Sequence, residues 1–339
     1  MIHIDLHSKL LDSTRGFCVE SLITSCADEQ NAALTELIFS ISRYQEEGIQ
    51  LHPKVYLTNN IDLALKMLPG QDSMHIGSEG DLPNGIKSAL KKCAPLANGG
   101  WCIYVSQGSE TVDYGVFRGD TNPIATSIDE TILVNDVPYN TIKVHQVTQD
   151  QIEVRFNHGS TLYISLSPST HDIDSPESHL TALVKNIVSQ VPKYKESVEK
   201  VLNNVLSDAI KKSHGCLIAV SKIDSIPETF NGDGTCLNSP IDFYELVSLC
   251  IKEEREAKVL ISSSQMLENM LNTDGIVIFN QKGQLIGFNY FISSSTARSF
   301  GGARSRAFSA LCKHLNTDLC AVYMQSQDGL IQFKGTSNE

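Results

Sequence analysis

The chain has 339 residues, of which 27 are Lys or Arg and 39 are Asp or Glu, so its formal net charge at pH 7 is −12. This acidity argues against duplex nucleic acid as a main partner, because proteins that bind phosphate backbones carry a basic face. A hydrophobic fraction of 41% is that of a globular protein, and no apolar run is long enough to predict a membrane span. The length corresponds to about two domains.

Nine cysteines occur without any C-x-x-C spacing. Several lie in apolar stretches such as "GCLIAV" and "LCAVYM", a pattern typical of reduced, buried thiols rather than of disulfides or a zinc site. The first residues also lack the basic and apolar regions of a signal peptide. We therefore expect a cytoplasmic protein.

The N-terminal part, residues 1–170, predicts an α+β domain with an antiparallel sheet. Helical periodicity marks the segment from Asn31 to Glu47, and "IDLALKML" and "DLPNGIKSALKKC" also indicate helices, with a short strand in "KVYL". From Trp101 onward the period changes to two, which predicts strands. These strands are expected in "WCIYV", "VDYGVFR", "TILVN", "IKVHQV", "QIEVRF" and "TLYISL".

A stretch rich in Ser, Pro and Asp, residues 167–179, has no periodicity and predicts a linker. We assign residues 171–194 to this linker and a connecting helix. His171, Asp172 and Asp174 suggest a metal site, but metal sites need a held geometry, so a polar loop is favoured.

The C-terminal part, residues 195–339, predicts a mixed sheet flanked by helices. Its first helix is separated from the preceding one by Pro192 and is followed by a buried strand in "GCLIAVS". Two further helices are expected in "DFYELVSLCIKE" and "SSQMLENMLN". The stretch "DGIVIFNQKGQLIGFNYFI" then predicts two strands joined by a turn, and the last two strands are expected in "LCAVYM" and "LIQFK".

Several common catalytic motifs are missing from the sequence. It contains no Walker A motif, G-x-G-x-x-G, G-x-S-x-G, H-E-x-x-H or EF-hand loop. The commonest NTPases, dehydrogenases, hydrolases and zinc proteases are therefore not indicated.

The stretch "FGGARSRAF" predicts a phosphate-binding helix start. Gly301 and Gly302 allow close approach of the backbone, and the first N–H groups of a helix attract anions. Arg304 and Arg306 would add charge-assisted bonds. Residues two apart on a regular helix point to nearly opposite sides. Both arginines would therefore reach one ligand only if the first turn were irregular; otherwise each would serve a different ligand or protomer. The alternative is an ordinary helix with solvated arginines.

Two acidic residues are candidate partners of that helix start. Asp274 precedes Gly275 at the beginning of an apolar strand, where a carboxylate can accept a proton or hold a metal ion. Asp328 lies in the turn "QSQDG" after a later strand. Both sequences are also typical of plain turns.

From about Val198 to Phe333 the chain resembles the diadenylate cyclase (DAC) domain, which makes cyclic di-AMP, a second messenger, from two ATP molecules. The resemblance is carried by "VLNNVLSDAIKKSHGCLIAVS", "TDGIVIFNQKGQLIGF", "GGARSRAFSAL" and "VYMQSQDGLI". The front part, through "FSISRYQEEGIQLHPKVYL" and "GGWCIYVSQGSETVDYGVFRG", resembles the bacterial DACNV family, whose members are described as sensors built on a cyclase-like domain. This resemblance implies a role in bacterial nucleotide signalling or anti-phage defence.

The chain departs from the active cyclases at two positions of the motif. Their metal-site His corresponds to Ser305, and their Glu corresponds to Gln327 or, with a one-residue gap, to Asp328. A serine hydroxyl is a poor replacement for imidazole as a metal ligand, and phosphoryl transfer depends on such charge stabilisation. The resemblance therefore implies phosphate binding that survives beside a weakened metal site. The implied nucleotide-binding residues are Gly275, Gly301, Gly302, Arg304, Ser305 and Arg306.

Three hypotheses follow for the function. The first is a nucleotide-binding sensor for ATP or a cyclic or linear oligonucleotide that acts through a separate effector protein. The second is an active cyclase, a homodimer in which Asp274 is catalytic and, together with Asp328, holds Mg²⁺ or Mn²⁺. The third is a non-catalytic partner-binding protein with a vestigial site. No other cofactor is indicated.

Overall fold

The computed structural model describes eleven stretches of the chain, and it divides them into two compact units. The described residues are 10–16, 27–120, 127–148, 151–157, 159–165, 176–213, 215–230, 234–252, 257–292, 302–326 and 330–336. Those as far as 165 form the first unit, and those from 176 onward form the second. Most of the predicted linker, including His171, Asp172 and Asp174, lies outside the described residues.

The first unit is a seven-stranded sheet with helices on both faces. Its strand order is β4-β6-β5-β3-β7-β8-β9, and neighbouring strands are antiparallel except for the parallel pair β3 and β5. The α+β class is therefore confirmed, with one parallel pair inside an otherwise antiparallel sheet. In chain order the elements are α1 (10–16), α2 (Ala27–Ser42), β1 (Gln45–Glu46), β2 (Ile49–Gln50), β3 (Val55–Thr58), α3 (Ile61–Lys66), β4 (Asp72–Glu79), α4 (Leu82–Cys93), β5 (Cys102–Gln107), β6 (Val112–Arg118), α5 (Ile128–Ile132), β7 (Thr141–Thr148), β8 (Gln151–Phe156) and β9 (Thr161–Ser165).

Two predicted elements of the first unit are wrong. The first long helix ends at Ser42 rather than at Glu47, because Glu47 and Gly48 have φ angles of 50° and 82° and form the tight turn between β1 and β2. The segment "TILVN", predicted as a strand, begins inside α5. A capping box between Ser127 and Glu130 starts that helix and overrides the strand preference of the apolar residues after it.

A charged cluster ties α5 to the sheet. Asp129 of α5 pairs with the ammonium group of the buried Lys143 on β7 and accepts a hydrogen bond of 2.5 Å from the Tyr56 hydroxyl on β3. The same ammonium group donates to Glu153 Oε1 of β8 at 3.3 Å. Burial by itself raises the pKa of Asp129, but the Lys143 charge and the two hydrogen bonds outweigh burial and hold this pKa below its ordinary value.

We expect this carboxylate to make stability sensitive to acid. Because the folded pKa is the lower one, the contribution of Asp129 is present above the unfolded value of about 3.9 and is lost as pH falls through the folded value. Urea unfolding at a series of pH values below about 5 should show a smaller acid loss of stability for Asp129→Asn than for the wild type. The exposed Asp62→Asn is the matched control, and identical profiles for the wild type and Asp129→Asn would contradict the assignment.

The second unit is a six-stranded mixed sheet covered by helices, as predicted. Its order is β11-β13-β12-β10-β14-β15, with β10 and β12 parallel and every other neighbouring pair antiparallel. The elements are α6 (Pro176–Ile187), α7 (Lys195–Lys212), β10 (Cys216–Ser221), β11 (Thr235–Asp242), α8 (Phe243–Lys252), α9 (Ala257–Leu271), β12 (Ile276–Asn280), β13 (Gln284–Tyr290), α10 (Ala303–Leu311), β14 (Leu319–Gln325) and β15 (Ile331–Gly335).

The helices of this unit divide between the two faces of its sheet. The apolar sides of α6, α7, α8 and α9 pack on one face around the buried Ile218, Val220 and Phe279. Among the described α-helices, only α10 packs on the other face, through Phe308 and Leu311. This arrangement leaves the first turn of α10 at the end of the sheet where the interior strand β12 begins and the interior strand β13 ends.

Two further predictions concern the cysteines and the membrane. All of the described cysteines except Cys236 and Cys312 are buried, as the apolar surroundings predict, and no disulfide joins the described cysteines. Among the described helices none has both the length and the apolarity to cross a bilayer.

Candidate functional site

A cavity of about 230 Å³ lies in the second unit where α10 starts beside β12 and β13. Three short segments form its wall. These are the start of β12 (274–276), the end of β13 with the residues after it (290–292), and the first turns of α10, with Leu217 of β10 completing the lining. The structure thereby brings Asp274, Gly275, Arg304 and Arg306 to one cavity, although they come from separate stretches of the sequence.

The start of α10, beside this cavity, presents backbone N–H donors that have no acceptor within the helix. Gly302 is the N-cap residue, has no side chain to cap the helix, and its carbonyl oxygen accepts the bond from Arg306 N at 3.1 Å. By helix geometry the N–H groups of Ala303, Arg304 and Ser305 have no acceptor within the helix. These donors and the positive end of the helix dipole favour an anion at this position.

The two arginines lie on either side of one face of α10. Ala303 and Ala307 form the middle of that face, and their short side chains leave room for a ligand. With 3.6 residues per turn, Arg304 and Arg306 lie about 80° to each side of this midline, and Ser305 lies about 180° away. The structure thus brings both arginines to one cavity without an irregular first turn. Two long side chains reach the same cavity from opposite flanks of a regular helix.

Neither guanidinium group forms an ion pair with a described residue. Arg304 is half-buried and Arg306 is exposed. Arg304 lies close enough to the Cys216 thiol for its charge to act on it, although burial dominates and raises the pKa of Cys216 to about 12. That thiol is therefore neutral near pH 7 and does not form an ion pair with Arg304.

Ser305 does not line the cavity. Its carbonyl oxygen accepts a bond of 2.9 Å from the Ser309 hydroxyl along the helix. The residue that replaces the histidine of active cyclases in the resemblance is thus on the far side of α10 from Asp274.

A β-bulge brings Gly275 against the end of β13. Ile276 is opposite Tyr290 while Ile278 is opposite Gly287, so β13 has an extra residue here, and Asn289 has a φ of 58°. Gly275 has a φ of +98°, and a Cβ on it would lie 2.8 Å from the Tyr290 carbonyl oxygen and 2.9 Å from Asn289 backbone atoms. Only glycine fits this position.

Asp274 is exposed at the mouth of the cavity, and its Oδ1 accepts the N–H of Gly275 at 3.0 Å. It is the one carboxylate among the described lining residues. Gly301, Gln327 and Asp328 lie outside the described residues. Within the described part of the chain, no three His, Cys, Asp or Glu side chains form a group that could hold a metal ion. The described wall by itself offers a metal ion one carboxylate ligand, that of Asp274.

Aromatic residues that the sequence did not single out form the apolar wall. The Tyr290 ring lies over Gly234 and Gly287, where a Cβ would come within 2.3 Å and 2.7 Å of ring atoms. The Phe230 ring packs edge-on against the Tyr290 ring, and the two ring centroids are 5.9 Å apart. Burial, and secondarily the Cys236 thiol, raise the pKa of Tyr290. The available signal was the glycine three residues before the tyrosine in "GFNYFI". That glycine leaves space for a ring to lie flat on the sheet.

Comparison of the chain with protein-family models, with curated proteins and with solved structures finds no match.

Proposed function

We propose that the chain is a nucleotide-binding sensor whose second unit binds a nucleotide in the cavity beside α10. One observation carries this proposal. Arg304 and Arg306, neither ion-paired with a described residue, line one cavity together with the open N-terminus of a helix. Guanidinium groups and helix N–H groups are the donors that proteins use for phosphate.

The opposite wall of the cavity favours a ligand that also carries a nonpolar part. Ile276, Tyr290 and Ile292 line it, and Phe291 is 43% exposed beside them. A large aromatic side chain exposed at a cavity is available to cover a flat ring. An anion joined to a sugar and a base fits this combination better than inorganic phosphate does.

Binding is favoured over turnover by the same residues. Phosphoryl transfer needs metal ions or an equivalent to neutralise developing charge, and the described wall supplies the single carboxylate of Asp274. Ser305 is directed away from the cavity and cannot assist Asp274. In this proposal the protein is cytoplasmic and bacterial, the first unit transmits or receives the signal, and a separate effector protein acts on it.

A thermal-shift screen tests the proposal. Purified protein is mixed with ATP, GTP, cyclic di-AMP and other cyclic oligonucleotides, with and without manganese, and each sample is then separated on a nucleotide-resolving column. We expect a rise in melting temperature that does not need manganese, with the nucleotide recovered intact. A new nucleotide product that disappears in Asp274→Asn would show a cyclase instead. No shift with any nucleotide would favour a partner-binding protein with a vestigial site.

A further inference from the structure

The positive charges of the described lining residues exceed what one phosphodiester can neutralise. Arg304 and Arg306 supply two positive charges, and the start of α10 adds roughly half a charge. The single negative charge among the described lining residues is that of Asp274, at the mouth. Among the described lining residues, about one and a half positive charges are therefore not balanced by a negative one.

The donors at the start of α10 suit a phosphate with more than two unbridged oxygens. Up to three helix N–H groups lie at the N-terminal end of α10, and a guanidinium group flanks the face of Ala303 and Ala307 on each side. A phosphodiester has one negative charge and two unbridged oxygens. A terminal phosphate has three such oxygens and a charge of about −1.5 to −2 at pH 7.

The size of the cavity also favours a terminal phosphate over an internal phosphodiester. Its volume of about 230 Å³ is below the roughly 300–1,000 Å³ of pockets that enclose a whole drug-sized ligand. A cavity of this size encloses a terminal phosphate, which is attached to its ligand by one ester oxygen, more readily than an internal phosphodiester, which is attached by two.

We propose that the group bound between Arg304 and Arg306 is a terminal phosphate, a phosphomonoester, rather than the phosphodiester of a cyclic or internally linked nucleotide. This inference rests on the proposed function and narrows its ligand class. Asp274 at the mouth is then placed to accept hydrogen bonds from hydroxyl groups of the attached sugar, since a carboxylate repels the phosphate itself.

Matched ligands that differ by one charge provide the test. Isothermal titration calorimetry would compare the four ribonucleoside 5′-monophosphates with their 5′-methyl phosphodiesters at about pH 8 and about pH 5, in EDTA. The second pKa of a phosphomonoester is near 6, whereas a phosphodiester does not titrate in this range. We expect at least one monoester to bind about tenfold or more tightly than its methyl diester at the higher pH. This preference should shrink at the lower pH.

Variants separate the proposed contact from general electrostatics. Arg304→Ala and Arg306→Ala should reduce the affinity for the monoester to near that for the diester. Arg43→Ala, at an exposed position in the first unit, should leave the preference for the monoester intact.

Equal binding of the two esters, or tighter binding of the diester, would overturn this inference and leave the proposed function standing. If no monoester binds but a cyclic nucleotide does, the inference is again overturned. Failure of every nucleotide to bind would overturn both.

Discussion

Arg304→Ala is expected to weaken nucleotide binding by about 1.5–3 kcal/mol, which is roughly a 10- to 150-fold rise in Kd. The reason is the loss of a charge-assisted hydrogen bond from a half-buried guanidinium group that lines the cavity. Arg306 is exposed and more strongly screened by solvent, so Arg306→Ala should have the smaller effect. Calorimetric titration with the nucleotide that raises the melting temperature most would measure both variants.

Ser305→Ala is the informative control for these variants. Ser305 lies between the two arginines in sequence but on the opposite side of α10, so its loss should leave the affinity unchanged. The free energy of unfolding should also stay within about 0.5 kcal/mol for Arg304→Ala and Arg306→Ala, because neither side chain forms an ion pair with a described residue. A larger loss of binding in Ser305→Ala than in Arg304→Ala would show that the cavity is not the binding site.

Gly275→Ala is expected to reduce stability by roughly 2–5 kcal/mol and to abolish nucleotide binding. A side chain at a positive φ costs about 1–2 kcal/mol, and forcing an extra methyl group into packed surroundings costs about 1–3 kcal/mol more. The atoms that the new Cβ meets belong to the backbone of Asn289 and Tyr290, which cannot rotate away as a side chain would. The strain would therefore be transmitted to the bulge and to the Tyr290 wall of the cavity.

Urea unfolding and calorimetric titration would check the Gly275→Ala variant. Gly80→Ala is the matched control, because no atom lies within 4 Å of a Cβ added at Gly80. It should change stability by no more than about 0.5 kcal/mol. Wild-type stability and affinity in Gly275→Ala would show that the approach of β12 to β13 is looser than the structure indicates.

The α+β class and most elements of the chain follow from periodicity, and the exceptions have physical causes. The apolar letters of "TILVN" suggest a strand, but the capping box begun at Ser127 makes their first residues helical. Strands β4 and β11 were not predicted because they are edge strands with many exposed, polar residues and lack the alternation of half-buried strands.

The candidate site was predictable in its charges but not in its geometry. The glycines and arginines of "FGGARSRAF" mark a helix start that suits phosphate, and Asp274 with Gly275 marks a strand start. Arg304 and Arg306 share one cavity because Ala303 and Ala307 form the helix face between their side chains and because of the way α10 packs against the sheet. The sequence alone does not show this packing. The aromatic wall depends on the bulge in β13, which appears only when β12 and β13 are paired.

The most direct measurement is a crystal structure of the protein with the nucleotide that raises its melting temperature most, grown without added divalent metal. The proposed function predicts phosphate oxygens within hydrogen-bonding distance of Arg304, Arg306 and the first N–H groups of α10, with an intact nucleotide whose nonpolar part lies toward Tyr290 and Phe291. A nucleotide bound elsewhere on the chain, with this cavity empty, would contradict the central claim.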